Sequence, residues 1–401
     1  MSTLYLQRGL LGHMPDLLAR EMPHTRLGII CDETTQEVAA AAIHALFPEH
    51  TQLICLGKRI RPTVDISEKL RHQVARCDAL LAVGSGTITD LTRYVAHRLL
   101  IPFCAFATAP SMNGYLSATS SLVFGKHKSS VKASPPKALF ADLDILCDAP
   151  LKLIRAGLGD ILCRSSIESD LILANRFTGA LYQPHDFDRL RQIDEELSQY
   201  GGELHKRDEP FIRLIMEALI IGGQLMTQHG SSAPCSQSEH MIAHTYDMLY
   251  GGSESYVLHG EAIAVTTLTM ARLQQKLICR RPKLRPTKVS LDSFKRIFGA
   301  NGYEALYNSY IKKQLSPERC EELNDELATL WPEIKAEIEA KAMRALSLEK
   351  TLARYNCYTD HKQLRWHKDR FENAVSSAYL TRDRFTFLDI PAMDKTLRAE
   401  L

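Results

Sequence analysis

The chain has 401 residues, too many for one ordinary core, so its length points to two domains or three. Lys plus Arg number 49 against 47 Asp plus Glu, which excludes a basic footprint for nucleic acid and a polybasic membrane patch but leaves room for a local site that binds one phosphate. The ten cysteines are scattered with no Cys-x-x-Cys pair, the pattern of reduced thiols in a cytosolic protein. The opening stretch MSTLYLQRGLLGHMPDLL lacks a charged n-region followed by a long apolar h-region, so no signal peptide and a cytoplasmic location are expected.

Residues 1–150 alternate strand and helix signals. The apolar run Leu27–Cys31 reads as a buried strand, and Thr34–Leu46 as an Ala-rich helix opening on threonine caps. Strand is expected again at Gln52–Leu56, Ala79–Val83 and Pro102–Ala107, with helices at Ile66–Arg76 and Thr87–Leu100 between them. A Pro/Gly/Ser-rich loop, TAPSMNGYLS, follows, then two β-like runs around a Gly125 turn, then Ala138–Ala141. Repeated β-α-β-α implies a mostly parallel, doubly wound sheet.

After Pro150 helical periodicity takes over, as in Leu151–Leu173, Phe211–Gln228 and Pro332–Leu346. The most apolar of these segments, Phe211–Met226, contains Arg213 and Glu217, so a buried helix explains it better than a membrane span. The expected fold class is an α/β domain over residues 1–150 followed by an all-α domain over residues 151–401.

Two groups of residues carry chemistry. The strand at Ala79–Val83 runs into Gly84-Ser85-Gly86-Thr87 and then a helix. Glycines there let the backbone approach a ligand, and the helix N-terminus offers unpaired N–H groups to phosphate. This is a candidate dinucleotide site, although the full G-x-G-x-x-G is absent and a tight strand–helix turn has the same signature. Asp32, just past the first buried strand, can hold a ribose hydroxyl or simply cap the next helix.

The second group lies in the helical half. It comprises Asp160 in AGLGD, His240 and His244 at i, i+4 in SEHMIAH, and His259 in LHGE at the start of another helix. One carboxylate and two imidazoles suit a Zn²⁺ or Fe²⁺ that polarises a carbonyl or alkoxide oxygen. With 15 histidines in the chain, one H-x-x-x-H pair also arises by chance, and the spacing is not the H-E-x-x-H of zinc peptidases.

Taken in order, GSGTITD (Gly84–Asp90), FATAPSMNGYLSA (Phe106–Ala118), ALFADLDIL (Ala138–Leu146), AGLGD (Ala156–Asp160), SEHMIAH (Ser238–His244), LHGEAIA (Leu258–Ala264) and RDRFTFLDI (Arg382–Ile390) resemble the sn-glycerol-1-phosphate dehydrogenase branch of the superfamily that includes iron-type alcohol dehydrogenases, glycerol dehydrogenase and dehydroquinate synthase. The resemblance implies a Rossmann-like N-terminal domain, a helical C-terminal domain of the dehydroquinate-synthase type, and reduction of dihydroxyacetone phosphate, a small phosphorylated three-carbon substrate, by NADH or NADPH. It carries the metal ligands onto Asp160, His240 and His259, with Zn²⁺ the first expectation and Fe²⁺ or Ni²⁺ the alternatives. It assigns cofactor binding to Gly84, Ser85, Gly86, Thr87, Asp90, Thr108, Ser117 and Leu122, beside Asp32 as the ribose candidate of the local reading. His244 and Asn113 become the catalytic candidates. No nucleic acid or membrane insertion is expected, and a homo-oligomer, dimer or larger, is.

Two positions depart from the family pattern. Asn113 stands where the family usually has Asp, and an amide cannot accept or deliver a proton as a carboxylate can. Ala233-Pro-Cys-Ser-Gln237 replaces a run that usually begins with Arg. These departures keep open a dehydroquinate-synthase-like cyclase that uses NAD transiently, a glycerol-dehydrogenase-like enzyme for another polyol or carbonyl, and a diverged protein that only binds the cofactor.

Overall fold

The computed structural model describes residues 2–58, 60–124, 127–202, 204–251, 257–300 and 302–393. The chain divides into two compact units, Met1–Ile161 with Tyr200–Ser232, and Leu162–Gln199 with Ala233–Leu401.

The first unit is built on eight strands: β1 (Thr3–Gln7), β2 (Leu27–Cys31), β3 (Thr51–Cys55), β4 (Ala79–Gly84), β5 (Phe103–Ala107), β6 (Thr119–Phe124), β7 (His127–Lys132) and β8 (Ala138–Asp142). Six of them form one sheet in the order β1-β8-β5-β4-β2-β3, every pair parallel, while β6 and β7 form an antiparallel pair. Side chains alternate across the sheet as strand geometry requires. Leu27, Ile29, Leu81, Val83 and Phe106 share one buried cluster with Met14, Leu18 and Ile43 of flanking helices. Ile30, Leu80, Ala82 and Phe103 share another with Leu70, Leu91 and Val95. Helices on both faces explain why the central strands are apolar throughout.

Several boundaries differ from the sequence expectation. Strand β1 was not foreseen; it is a half-exposed edge strand, held by pairing with β8 and by Tyr5 stacked on Phe140 at 5.1 Å. The second helix is capped by Asp32 rather than by threonine: Asp32 Oδ1 accepts from Thr35 N–H at 2.8 Å, and Asp32 N–H donates to Thr35 Oγ1 at 3.0 Å. The expected turn at Gly125 lies outside the described residues.

The helix Glu209–Gln228 is long and apolar enough to cross a membrane by length and composition. In this unit it is a core helix, with Phe211, Ile215 and Leu219 buried and Arg213 donating to Leu6 O at 3.0 Å.

In the second unit no strand occurs among the described residues. Its helices include Arg164–Thr178, Ser238–Tyr250, His259–Ile278, Pro317–Lys341 and Lys368–Ala378. The single helix expected over Leu151–Leu173 is two, Leu151–Leu162 and Arg164–Thr178, divided where Cys163 relaxes to ψ −15°. Pro332 does not open a helix. The helix Pro317–Lys341 runs through it, because the buried stripe Leu323, Leu327, Trp331, Ile334 and Ile338 continues across the proline. That packing outweighs the roughly 3 kcal/mol an interior proline costs.

Candidate active site

In the first unit β4 delivers Gly84 to the carboxyl edge of the sheet, and the helix Gly86–Leu99 starts two residues later. Ser85 stands at the N-cap with extended backbone and no side-chain cap bond. The two glycines do different jobs. A Cβ on Gly84 would lie 2.8 Å from Ile88 Cβ, so packing of helix on strand forbids one. A Cβ on Gly86 would meet only Met112, at 3.5 Å, an ordinary contact. Packing therefore does not explain glycine at position 86, which leaves open backbone at a helix N-terminus. We expect Gly86→Ala to leave the melting temperature within about 2 °C of the parent, given the better helix propensity of alanine. Nicotinamide dinucleotide affinity, measured by fluorescence titration, should fall by about tenfold or more. Equal affinity would show that the loop does not hold the cofactor.

Thr108 N–H donates to Gly84 O at 3.3 Å, which ties the end of β5 to the glycine loop. The segment that follows is held from several sides. Buried Arg93 donates to Gly114 O at 2.6 Å, Tyr115 O at 2.8 Å and Thr119 O at 2.9 Å, and pairs with Asp90 at 2.9 Å. Tyr115 Oη donates to Ala109 O at 2.7 Å, and Thr227 Oγ1 to Leu116 O at 2.7 Å. Ser117 is buried and its Oγ accepts from Thr119 N–H at 3.0 Å. Leu122 is fully buried in the apolar cluster beside Leu91 and Ile54. Asn113 contributes its backbone: Asn113 N–H donates to Oδ2 of buried Asp160 at 2.8 Å. That bond survives any non-proline residue at 113, so the Asn-for-Asp departure leaves the placement of Asp160 intact. Arg93 escaped the sequence reading, because an Arg in TITDLTRY looks like an ordinary solvated helix face.

In the second unit three imidazoles converge. Ring centroids lie 5.1 Å apart for His240 and His259, 5.6 Å for His244 and His259, and 5.9 Å for His240 and His244. His240 and His244 share one face of the helix Ser238–Tyr250, and His259 opens the helix His259–Ile278. His240 Nδ1 lies 2.7 Å from Oε1 of fully buried Glu239, which also accepts from Gln237 N–H at 2.9 Å. A carboxylate on Nδ1 keeps the proton there and directs the Nε2 lone pair outward, the arrangement that orients a metal-binding histidine. Cys163, Glu239 and His240 also offer ligand atoms within 4.8 Å of one another. Because Glu239 Oε1 already receives His240, its carboxylate serves to orient that ring. The adjacency of Glu and His in S-E-H was the available signal for it.

A second buried carboxylate fixes the start of the same helix. Asp170 accepts from Ser238 N–H at 3.1 Å, Ser238 Oγ, Gln274 Nε2 at 3.2 Å and Phe387 N–H at 2.8 Å. Burial pushes its carboxyl up to about 7, against the opposing pull of the donors from Phe387 and Ser238. An acid whose folded pKa lies above its unfolded value of about 3.9 stabilises the fold most below pH 4 and loses that contribution as pH rises toward 7. Chemical denaturation should therefore show Asp170 costing stability between about pH 4 and 7, by some 2–4 kcal/mol. Asp170→Asn should flatten that slope, and an unchanged pH profile in the variant would contradict the assignment.

The parallel sheet with flanking helices and the helical remainder are shared with a class of solved dehydrogenase structures, and the family model described as iron-containing alcohol dehydrogenase matches residues 5–150. Solved structures with the same fold include maleylacetate reductase from Rhizobium sp., at TM-score 0.66 and 13% identity over 100% of this chain and 95% of that one. Glycerol dehydrogenase from Schizosaccharomyces pombe superposes at TM-score 0.57 and 17% identity, over 86% of this chain and 93% of that one. Within the class, the chain belongs to the glycerol-1-phosphate dehydrogenase family. It is 32% identical over 251 residues to the glycerol-1-phosphate dehydrogenase [NAD(P)+] of Sulfurisphaera tokodaii, covering 63% of this chain and 71% of the relative. It is 31% identical over 252 residues to that of Methanosarcina mazei, covering 61% and 68%. The Bacillus subtilis relative is 29% identical over 258 residues, or 62% of this chain, and the chain spans 66% of that relative's length.

Proposed function

We propose that this protein is a metal-dependent NAD(P)H oxidoreductase that reduces dihydroxyacetone phosphate to sn-glycerol 1-phosphate. The observation that carries the reading is the convergence of His240, His244 and His259, with His240 oriented by Glu239 through Nδ1. On this reading Asp160, His240 and His259 hold a divalent ion, and the donor set of one carboxylate and two imidazoles suits Zn²⁺ first, with Fe²⁺ or Ni²⁺ as alternatives. When bound, the ion supplies Lewis-acid polarisation of the substrate oxygen and the nicotinamide supplies hydride.

The chain's own groups do the rest. Gly84, Ser85, Gly86 and Thr87 bind pyrophosphate at the helix N-terminus, and Asp90, Thr108, Ser117 and Leu122 shape the surroundings of the cofactor. Asp32 uses one carboxylate oxygen to cap its helix, and on this reading the other faces the adenosine ribose, where it would disfavour a 2′-phosphate, with NADH and NADPH both tested. His244 moves the proton, and Asn113 positions the substrate by hydrogen bonding. Residues 1–150 serve the cofactor and residues 151–401 the metal and substrate. A cytoplasmic homo-oligomer completes the proposal.

The test is a substrate screen with both cofactors on metal-analysed protein. Oxidation of NADH or NADPH with dihydroxyacetone phosphate, dependent on added Zn²⁺ or Fe²⁺, is expected. Full activity after rigorous metal stripping would sink the mechanism. Turnover of a phosphorylated sugar acid with no net NADH change would replace it with a cyclase.

A further inference from the structure

The closing motif Arg382–Ile390 is anchored by two buried carboxylates. Buried Lys313 pairs with Asp389 at 2.8 Å and donates to Arg384 O at 2.9 Å. Asp389 Oδ2 accepts from Thr386 N–H at 2.8 Å, and Asp170 Oδ1 accepts from Phe387 N–H at 2.8 Å. A segment fixed in this way holds its first side chains in place. Arg384 donates to Ser236 O, in the run that lacks the family's usual arginine. Arg382 Nη2 lies 3.4 Å from His244 Nδ1, at the edge of the three-histidine cluster.

What stands out is the charge. Among the described residues the half-buried Arg382 guanidinium makes no ion pair with a carboxylate, although Arg is the cation that proteins most often pair when they bury it. Burial and the neighbouring charge of Arg382 both push Arg384 down, to about 10. Burial likewise lowers Arg382, with only the exposed Asp383 opposing. Two neighbouring guanidiniums, one of them 3.4 Å from the His244 imidazole, form a site whose mutual repulsion a bound dianion would relieve.

We propose that Arg382, seconded by Arg384, is the phosphate-recognition subsite of the substrate. This rests on the proposed reduction of a phosphorylated ketone and deepens it by naming the residue that distinguishes phosphorylated from plain substrate.

The test uses the metal-loaded full-length protein and inorganic phosphate as the binding probe. Phosphate should protect the parent against thermal unfolding and bind by calorimetry, and Arg382→Gln should weaken that binding by about 10- to 100-fold, the loss typical of a charge-assisted hydrogen bond. The preference for dihydroxyacetone phosphate over dihydroxyacetone, as a ratio of kcat/KM values, should fall by a similar factor and be partly restored by Arg382→Lys. If Arg382→Gln fails to fold, the lysine variant carries the test, because loss of bidentate geometry with retained charge should still raise the phosphate dissociation constant severalfold. Unchanged phosphate affinity and unchanged preference in the folded variants would overturn the subsite while leaving the reductase reading intact. Phosphate binding that depends on Arg382, in a protein that reduces no phosphorylated ketone, would support the subsite and overturn the reductase reading.

Discussion

Replacing His259 with alanine is expected to strip the protein of stoichiometric divalent metal and to lower reduction of dihydroxyacetone phosphate by about a thousandfold or more. Losing a partner that merely orients a ligand typically costs 10–100-fold in affinity or activity, and losing a ligand costs more. The internal comparison is Glu239→Gln, which removes the carboxylate from His240 Nδ1 but leaves the ring in place. That variant should keep metal with about 10–100-fold weaker affinity. His244→Ala should retain metal in full and lose turnover. The three variants thus give three metal contents, readable by elemental analysis before any assay. Full metal in the His259 variant would mean that the wrong ligand has been named, with Cys163 the next candidate because its thiol lies within 4.8 Å of the His240 and Glu239 ligand atoms.

The convergence of His240 and His244 was legible in sequence because the two residues are local. His240 and His244 are one helical turn apart, and helix geometry alone puts them on one face. The parallel sheet was equally legible, since β2, β4, β5 and β8 are buried on both faces and spell continuous apolar runs. Strand β1 was not, because TLYLQ is an edge strand whose identity comes from β8, over a hundred residues away. The same holds for the groups that fix the site. Arg382 reaches His244 across 138 residues, and Asp170 collects donors from Ser238, Gln274 and Phe387 on three separate segments. Arg93 is buried because its partners are backbone carbonyls of a distant loop, which carry no residue-type signal at all. Periodicity reports what an element buries. It is silent on which distant carbonyl or guanidinium meets it.

Gly157→Ala should be among the most damaging small substitutions in the first unit. Gly157 lies in the helix Leu151–Leu162, one turn before Asp160, and a Cβ there would sit 1.8 Å from Pro110 O and 2.9 Å from Pro110 C. The obstacle is backbone, so no rotamer change relieves it, and the helix or the loop must move by more than an ångström. The loop has little freedom to give way. On another side Gly223 also meets it closely, where a Cβ would lie 2.9 Å from Asn113 O, and Arg93 holds the carbonyls of Gly114 and Tyr115. Alanine gains about 1 kcal/mol of helix propensity over glycine. Overpacking against fixed backbone costs about 1–3 kcal/mol or more, and here the overlap is extreme. The steric term wins, and a melting temperature lower by about 2–5 °C is expected. Function should suffer further, since the displaced helix carries Asp160 away from Asn113 N–H, its 2.8 Å donor. Gly201→Ala is the control, because a Cβ there meets nothing within 4 Å. A Gly157 variant as stable as that control, with parental metal affinity, would show that the close approach of helix and loop is not what places Asp160.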